Sequence, residues 1–263
     1  MNTKLATAVI WRGESPFAAG VELVAAVTGL ARASQNSGTG EMLQVWIMRA
    51  DIRPSACRRE GARRATCGGC RLKAVCYTRP PNQVWEGLAR RGMVAGHDAV
   101  VGAVATGADL SGRRAAVLDL VRGRKIRWGA DGDPCVIPAD LMSAMCHASA
   151  GWTGYTHSWR DPRFSEHKRF LMASVESRRG AVDAVAAGWR WFRVRSSTDG
   201  CGAVSGTVVR EADCPKGSGK LSCSECMFCS GTDGRGRGSA SIVLHNGLPD
   251  VLVAGERMLS AVA

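Results

Sequence analysis

The feature that most limits what this chain can fold into is a set of cysteines near its C-terminal end, Cys214, Cys223, Cys226 and Cys229, followed by His245. Their spacing is C-x8-C-x2-C-x2-C-x15-H. Two residues between cysteines let one tight turn present both thiolates to the same metal, with backbone amides directed at the sulfurs. Soft and borderline donors at these intervals suit a tetrahedral zinc site. A second group, Cys57, Cys67, Cys70 and Cys76, repeats the CxxC element, so eight of the eleven cysteines fall into two groups. The early group is a candidate second metal site; disulfides are the alternative for both.

The redox compartment decides between those alternatives. The start, MNTKLATAVIW, has one Lys before a short apolar run and does not read as a signal peptide. No segment approaches the roughly 18 uninterrupted apolar residues of a membrane span. A cytoplasmic location is therefore expected, and a reducing cytosol favours metal ligation over disulfides. At 263 residues the chain can bury a full core, and one α/β domain spanning 1–263 is expected, with cysteine-rich insertions at about 53–79 and 199–238.

The formal net charge of +12 includes 29 Arg among 35 basic side chains, part of which a GC-rich coding background would supply. The stretch from Met48 to Arg79 is denser, with nine Lys or Arg against two acids. Arg bonds phosphate in bidentate fashion and a basic field draws in polyanions, so nucleic acid is the expected partner. Arg58, Arg59, Arg63 and Arg64 are the candidate contacts; a solvated basic surface is the alternative.

Apolar patterning predicts strands at Thr7–Trp11, Val21–Val27 and Leu43–Arg49, then an Arg-rich, metal-held loop, and a helix over Gln83–Val94. From Arg124 onward strands and helices alternate. Strands are expected at Lys125–Ala130, Gly151–Thr156, Leu171–Val175 and Trp189–Val194, with helices at Pro138–His147, Pro162–Phe170 and Arg178–Ala187. Ser177 is the expected N-cap of the last helix and Gly188 its stop. One more strand is expected at Ser239–His245. Consecutive βαβ units imply a parallel sheet. The leading expectation is a TIM-type barrel, complete or degenerate; an open doubly wound sheet is second.

In parallel α/β folds the chemistry gathers at the C-terminal ends of the strands. Those ends deliver Asp131 and Asp133, then His157, then Glu176 and Ser177, then Arg195 and Ser196, and finally His245. Each has a plain structural alternative: turn formation for the two Asp, a buried histidine for His157, a surface ion pair for Glu176. The aromatic residues Trp152, Tyr155, Trp159, Trp189 and Trp191 either pack the core or stack a planar base near the rim.

Three blocks resemble a family encoded by bacteriophages and prophages that carries no established activity. They are AVIWRGES with GEMLQVWIMRADIRP; GADGDPCVIP with GWTGYTHSW and MASVES; and ADCPKGSGKLSCSECMFC with IVLHNG. More distantly, the layout resembles tRNA-guanine transglycosylases and their phage relatives that insert 7-deazaguanines into DNA. Those are TIM barrels that hold zinc late in the chain through three closely spaced cysteines and a distant histidine. Cys223, Cys226, Cys229 and His245 match that set in order and kind. The first spacing is one residue longer than in that group, Cys214 is an additional thiol, and the early cysteines have no counterpart there.

That resemblance implies double displacement at a glycosidic carbon, with one carboxylate attacking C1′ and a second moving protons on the base. Asp133 is the expected nucleophile or base, and Asp131 or Glu176 the second carboxylate. His157, Ser177, Tyr155 and Arg195 are expected to hold a modified-base small molecule and its DNA acceptor, DNA rather than RNA, around a structural zinc. Two rivals stand beside it. One is a non-catalytic zinc protein that binds nucleic acid. The other is a radical S-adenosylmethionine enzyme with an iron–sulfur cluster on Cys67, Cys70 and Cys76, although C-x2-C-x5-C departs from that family's C-x3-C-x2-C.

Overall fold

The protein was analysed as a computed structural model, which describes residues 7–31, 37–59, 61–72, 76, 85–103, 114–203 and 210–243. The first strands, β1 (Thr7–Glu14) and β2 (Glu22–Thr28), are antiparallel. Their connection is closed by the bond from Ser15 N to Val21 O, 2.7 Å, and is too short for a crossover helix. β3 (Leu43–Arg49) pairs antiparallel with β2.

The early insertion is not the irregular loop its sequence suggests. It contains α1 (Pro54–Arg59) and α2 (Arg64–Cys67), and is followed by α3 (Trp85–Arg90), α4 (His97–Gly102) and α5 (Arg114–Val121). The chain then returns as β4 (Lys125–Asp131), parallel to β3. From here the expected alternation holds. α6 (Ala139–Ala148) leads to β5 (Gly151–Thr153), parallel to β4, and one residue later β6 (Tyr155–Thr156) begins. A 3-10 helix, Pro162–Arg169, leads to β7 (Met172–Val175), and α7 (Arg178–Ala186) leads to β8 (Trp191–Arg195). β9 (Gly202–Ala203) and β10 (Arg210–Asp213) form an antiparallel pair that patterning alone did not reveal. α8 (Cys223–Cys226) precedes β11 (Ser239–Val243), which lies between β8 and β10 and parallel to both.

The result is a mixed α/β fold with two sheets, ordered β1-β2-β3-β4-β5 and β6-β7-β8-β11-β10-β9. They meet at Gly154. A Cβ there would stand 2.7 Å from both Leu171 Cδ2 and Trp128 Cβ, so only glycine lets the chain cross this close between the sheets. Its own backbone stays paired, N to Cys229 O at 2.8 Å and O from Met172 N at 3.0 Å.

α6 and α7 bury Met142, Met145, Ala181 and Ala184 against Ile126, Trp128, Ala173 and Trp191 on one face of the sheets. The opposite face holds Val24, Trp46, Met48 and Ala130 under Trp85 and Val100, and separately Met172, Phe192 and Ala240.

Among the described residues one ion pair is fully buried. Arg193 donates to Glu211 through Nε (2.8 Å) and Nη2 (2.6 Å), and Trp191 Nε1 adds a third bond at 2.9 Å. Burial alone would raise the Glu211 carboxyl, but the bonds from Arg193 and Trp191 outweigh it and hold it below its ordinary value. Glu211→Ala leaves Arg193 its Asp199 and Gly200 partners but empties the buried Nε side of the guanidinium and the Trp191 indole N–H, and is expected to cost about 3 kcal/mol in denaturant unfolding. An unchanged unfolding midpoint would exclude that role. Because the native carboxyl is depressed, its contribution is present above the unfolded-state value and is lost as pH falls through the native one.

Candidate functional site

β5 is registered in parallel with β4, and β6 with β7, while the bond from His157 N to Asp133 Oδ2 at 2.9 Å brings the residues after β4 and β6 onto one rim. Asp131, at the end of β4, is clamped by two arginines of the early insertion: Arg58 Nη2 on Oδ2 at 2.7 Å and Arg63 Nη2 on Oδ1 at 2.8 Å. Asp133, only 4% exposed, caps the 3-10 turn Pro134–Val136 by accepting from Cys135 N. Its other oxygen accepts from His157 N at 2.9 Å and Ser158 Oγ at 3.3 Å. Its own N–H donates to Thr66 O at 2.7 Å, which ties the early insertion to the rim. The expected nucleophile is therefore enclosed by donors and holds the His157 backbone, a positioning geometry rather than an attacking one.

The open groups on this rim are His157 and Glu176. His157 Nε2 shares a 3.1 Å hydrogen bond with Ser174 Oγ and lies 3.8 Å from Glu176 Oε1, with the two side chains 22% and 21% exposed. Period-2 alternation carries this face downward: Ser174 is registered with Phe192, and Phe192 stacks on Tyr155 at 4.9 Å and 13°. The Tyr155–Phe192 pair thus lies beneath the His157–Glu176 pair. Ser174 had no signal in the sequence beyond its place two residues before Glu176.

Two expected contributors do not join. Ser177 spends its hydroxyl as the N-cap of α7, accepting from Gly180 N at 3.1 Å. Arg195 shares its face with Arg193, opposite to Phe192, where it is 7% exposed and bonds Ser241 Oγ, Asp199 O and Asp213. Of the arginines proposed for nucleic acid, Arg58 and Arg63 are engaged by Asp131, while Arg59 and Arg64 are exposed.

In the Cys67–Cys70 turn, Cys70 N bonds Cys67 O at 3.1 Å. Burial pushes Cys70 up to about 12, and the charges of Cys67, Cys76 and Asp133 push the same way. Burial likewise raises Cys67 to about 11, against the pull of Arg63, whose Nη2 lies 3.4 Å from its Sγ. Burial would lower Arg63, but Cys67, Asp131 and Cys76 outweigh it. Cys57 is buried in α1, where burial raises its thiol against the pull of Arg49 and Arg63.

The late thiols are near enough for their charges to act on Cys223 and Cys229. α8 carries a capping box of Ser222 and Glu225 and ends at Met227, a left-handed residue at φ 51° that turns the chain back toward Cys229. Cys214 and Cys229 pack on the same small core as Phe192 and Ile242. Burial raises the Cys229 thiol well above its ordinary value, and Cys214, Cys223 and Cys226 raise it further. Among the described residues no group of three His, Cys, Asp or Glu side chains is placed to hold a metal ion. His245 lies outside the described residues.

No protein-family model, curated protein or solved structure matches this chain. No helix among the described residues is long and apolar enough to cross a membrane.

Proposed function

We propose that this protein is a base-modifying transglycosylase with a TIM-barrel-like sheet, exchanging guanine for a 7-deazaguanine in DNA around a structural zinc. The observation that carries this reading is the His157–Glu176 pair, 3.8 Å apart on a parallel-strand rim, above the stacked Tyr155 and Phe192. Displacement at a glycosidic carbon needs a carboxylate facing C1′ and a proton carrier at the departing base, the two flanking the scissile bond, and an aromatic surface suits a base drawn out of its stack.

In this reading Glu176 attacks C1′ as the C1′–N9 bond breaks, and protonated His157 gives its proton to the departing guanine. The incoming 7-deazaguanine then attacks C1′ through its ring nitrogen, returns a proton to His157 and releases the Glu176 carboxylate. Asp133 and Ser174 position His157 by its backbone and its Nε2. Cys214, Cys223, Cys226 and Cys229 form the donor set for zinc, with His245 the alternative ligand from the sequence. Burial and the neighbouring thiols Cys214 and Cys226 raise the proton affinity of Cys223 and Cys229, and a divalent cation would relieve that repulsion.

Incubation with DNA and labelled guanine tests the reading. Label entering DNA supports it. DNA binding without any label exchange would leave a zinc-dependent binding protein instead. Nucleic-acid contact has its own check, because Arg59 and Arg64 are exposed beside the rim insertion. Replacing both by Ala is expected to weaken DNA binding and to flatten the log–log salt slope by about 2, one released counterion for each. An unchanged slope would make them solvated surface only.

A further inference from the structure

Gly151 starts β5 in register with Lys125, the start of β4, at the end of the sheet opposite the rim. It borders a cavity of about 240 Å³ between the end of α6 and the segment 227–235. Two glycines keep the cavity open. Gly151 has φ +146°, and a Cβ there would stand 2.7 Å from Met227 Cε; a Cβ on Gly234 would collide with Ser230 Oγ. The segment is held from outside: Thr232 N bonds Lys168 O at 3.0 Å, and Asp233 N bonds Arg169 O at 2.9 Å. Trp152, which also lines the cavity, is fixed by its Nε1 bond to Phe170 O at 3.0 Å and by an edge contact with the Phe170 ring. Two polar groups are left over. Ser230 is 3% exposed, and its Oγ has no hydrogen-bond partner. Buried hydroxyls are nearly always paired, so an unpaired one lining a cavity marks a place for a ligand atom. Arg235 lines the mouth without an acidic partner among the described residues, because the adjacent Asp233 carboxylate is taken by Arg169 Nε at 2.8 Å.

We propose that this cavity is a second binding site, for a small planar aromatic anion whose ring lies against Trp152 and Met227, with a ring heteroatom on Ser230 Oγ and its anionic group at Arg235. Size limits the occupant: the volume falls below the roughly 300–1,000 Å³ of pockets that take drug-sized ligands, so one ring system fills it. The lining selects an aromatic ring, because a rigid indole and a thioether together offer a stacking surface and a sulfur–aromatic contact. The mouth selects an anion, since a guanidinium without an acidic partner pairs with carboxylate or phosphate. A nucleoside monophosphate and an aromatic carboxylate share this chemistry. A ligand here joins the segment 227–235 to α6 and β5, so it stabilises the folded chain by mass action. The site is independent of the base-exchange reading, which uses the other end of the sheet.

The test is calorimetric titration of the full chain with adenosine 5′-monophosphate, indole-3-acetate, adenosine and inorganic phosphate, alongside thermal unfolding with each. One of the two aromatic anions is expected to bind at a single site and raise the unfolding midpoint, and which one does so separates nucleotide from aromatic acid. Adenosine should bind at least about tenfold more weakly than its monophosphate if the nucleotide is the ligand, and phosphate alone should not bind, because ring and charge are both required. Arg235→Ala should weaken the bound anion by a similar factor. Ser230→Ala should lose affinity while the unligated protein unfolds no earlier than wild type, since the hydroxyl has no partner to forfeit. A merely structural serine would instead lower that midpoint. Neither anion binding, with water as the partner of Ser230, or binding unchanged in both variants, would overturn the proposal. Should Ser230→Ala fail to fold, Arg235→Ala decides. Label exchange into DNA is read separately, so failure here is distinguishable from failure of the transglycosylase reading.

Discussion

Cys226→Ser is expected to yield protein that has lost its zinc and most of its soluble fold. The reason is what the late thiols join. Cys223 N bonds Gly38 O at 3.1 Å and Ser224 N bonds Thr39 O at 3.1 Å, which fastens α8 to the turn before β3. Lys125 reaches Ser224, and Cys229 O receives Gly154 N where the two sheets meet. Arg190 holds the following segment through the carbonyls of Phe228, Gly231 and Gly238. A zinc ion in such a site contributes about 10–16 kcal/mol to folding at neutral pH. The whole stability of a domain is about 5–15 kcal/mol, so a metal bound there would outweigh everything else in this region. Chelation of the wild-type protein should act as the substitution does. Cys201, exposed and outside both groups, supplies the control: Cys201→Ser should keep zinc and fold. Stoichiometric zinc in purified Cys226→Ser would remove the assignment.

Much of the parallel half was legible because its signals are local. Ser177 caps α7 and Gly188 ends it at φ +77°, as the sequence indicates. The clustering of polar groups after β4, β6 and β7 follows from the same alternation. What the sequence hid depends on partners far along the chain. Arg195 reads as a rim residue until its strand is registered with β11, which turns it toward Ser241 and away from Phe192. The pairing of Arg193 with Glu211 requires β10, a four-residue strand with no apolar pattern. Asp133 looks reactive as one of two acids around Gly132, but its role is set by Cys135, His157 and Ser158, whose donors reach it only in the fold. The basic run around the early cysteines reads as surface, yet half of the four arginines chosen there face Asp131.

That reassignment separates two substitutions that the sequence alone would treat alike. Glu176→Gln keeps the shape of a side chain that is 21% exposed and removes only its negative charge. It should abolish label exchange while DNA affinity and the unfolding midpoint stay within error of wild type. His157→Gln removes the proton carrier and should lower exchange by about 10²–10⁴-fold. Asp133→Asn behaves differently, because its carboxylate receives Cys135 N, His157 N and Ser158 Oγ. An amide turns donors toward one of these groups and leaves a buried N–H unpaired, at a cost of about 1–3 kcal/mol. Its activity should fall through the displaced His157, together with the unfolding midpoint. Exchange measured alongside denaturant unfolding for the three variants therefore assigns the nucleophile. Full exchange in Glu176→Gln would end its candidacy. Loss of exchange in Asp133→Asn with an unchanged unfolding midpoint would return the reacting role to Asp133.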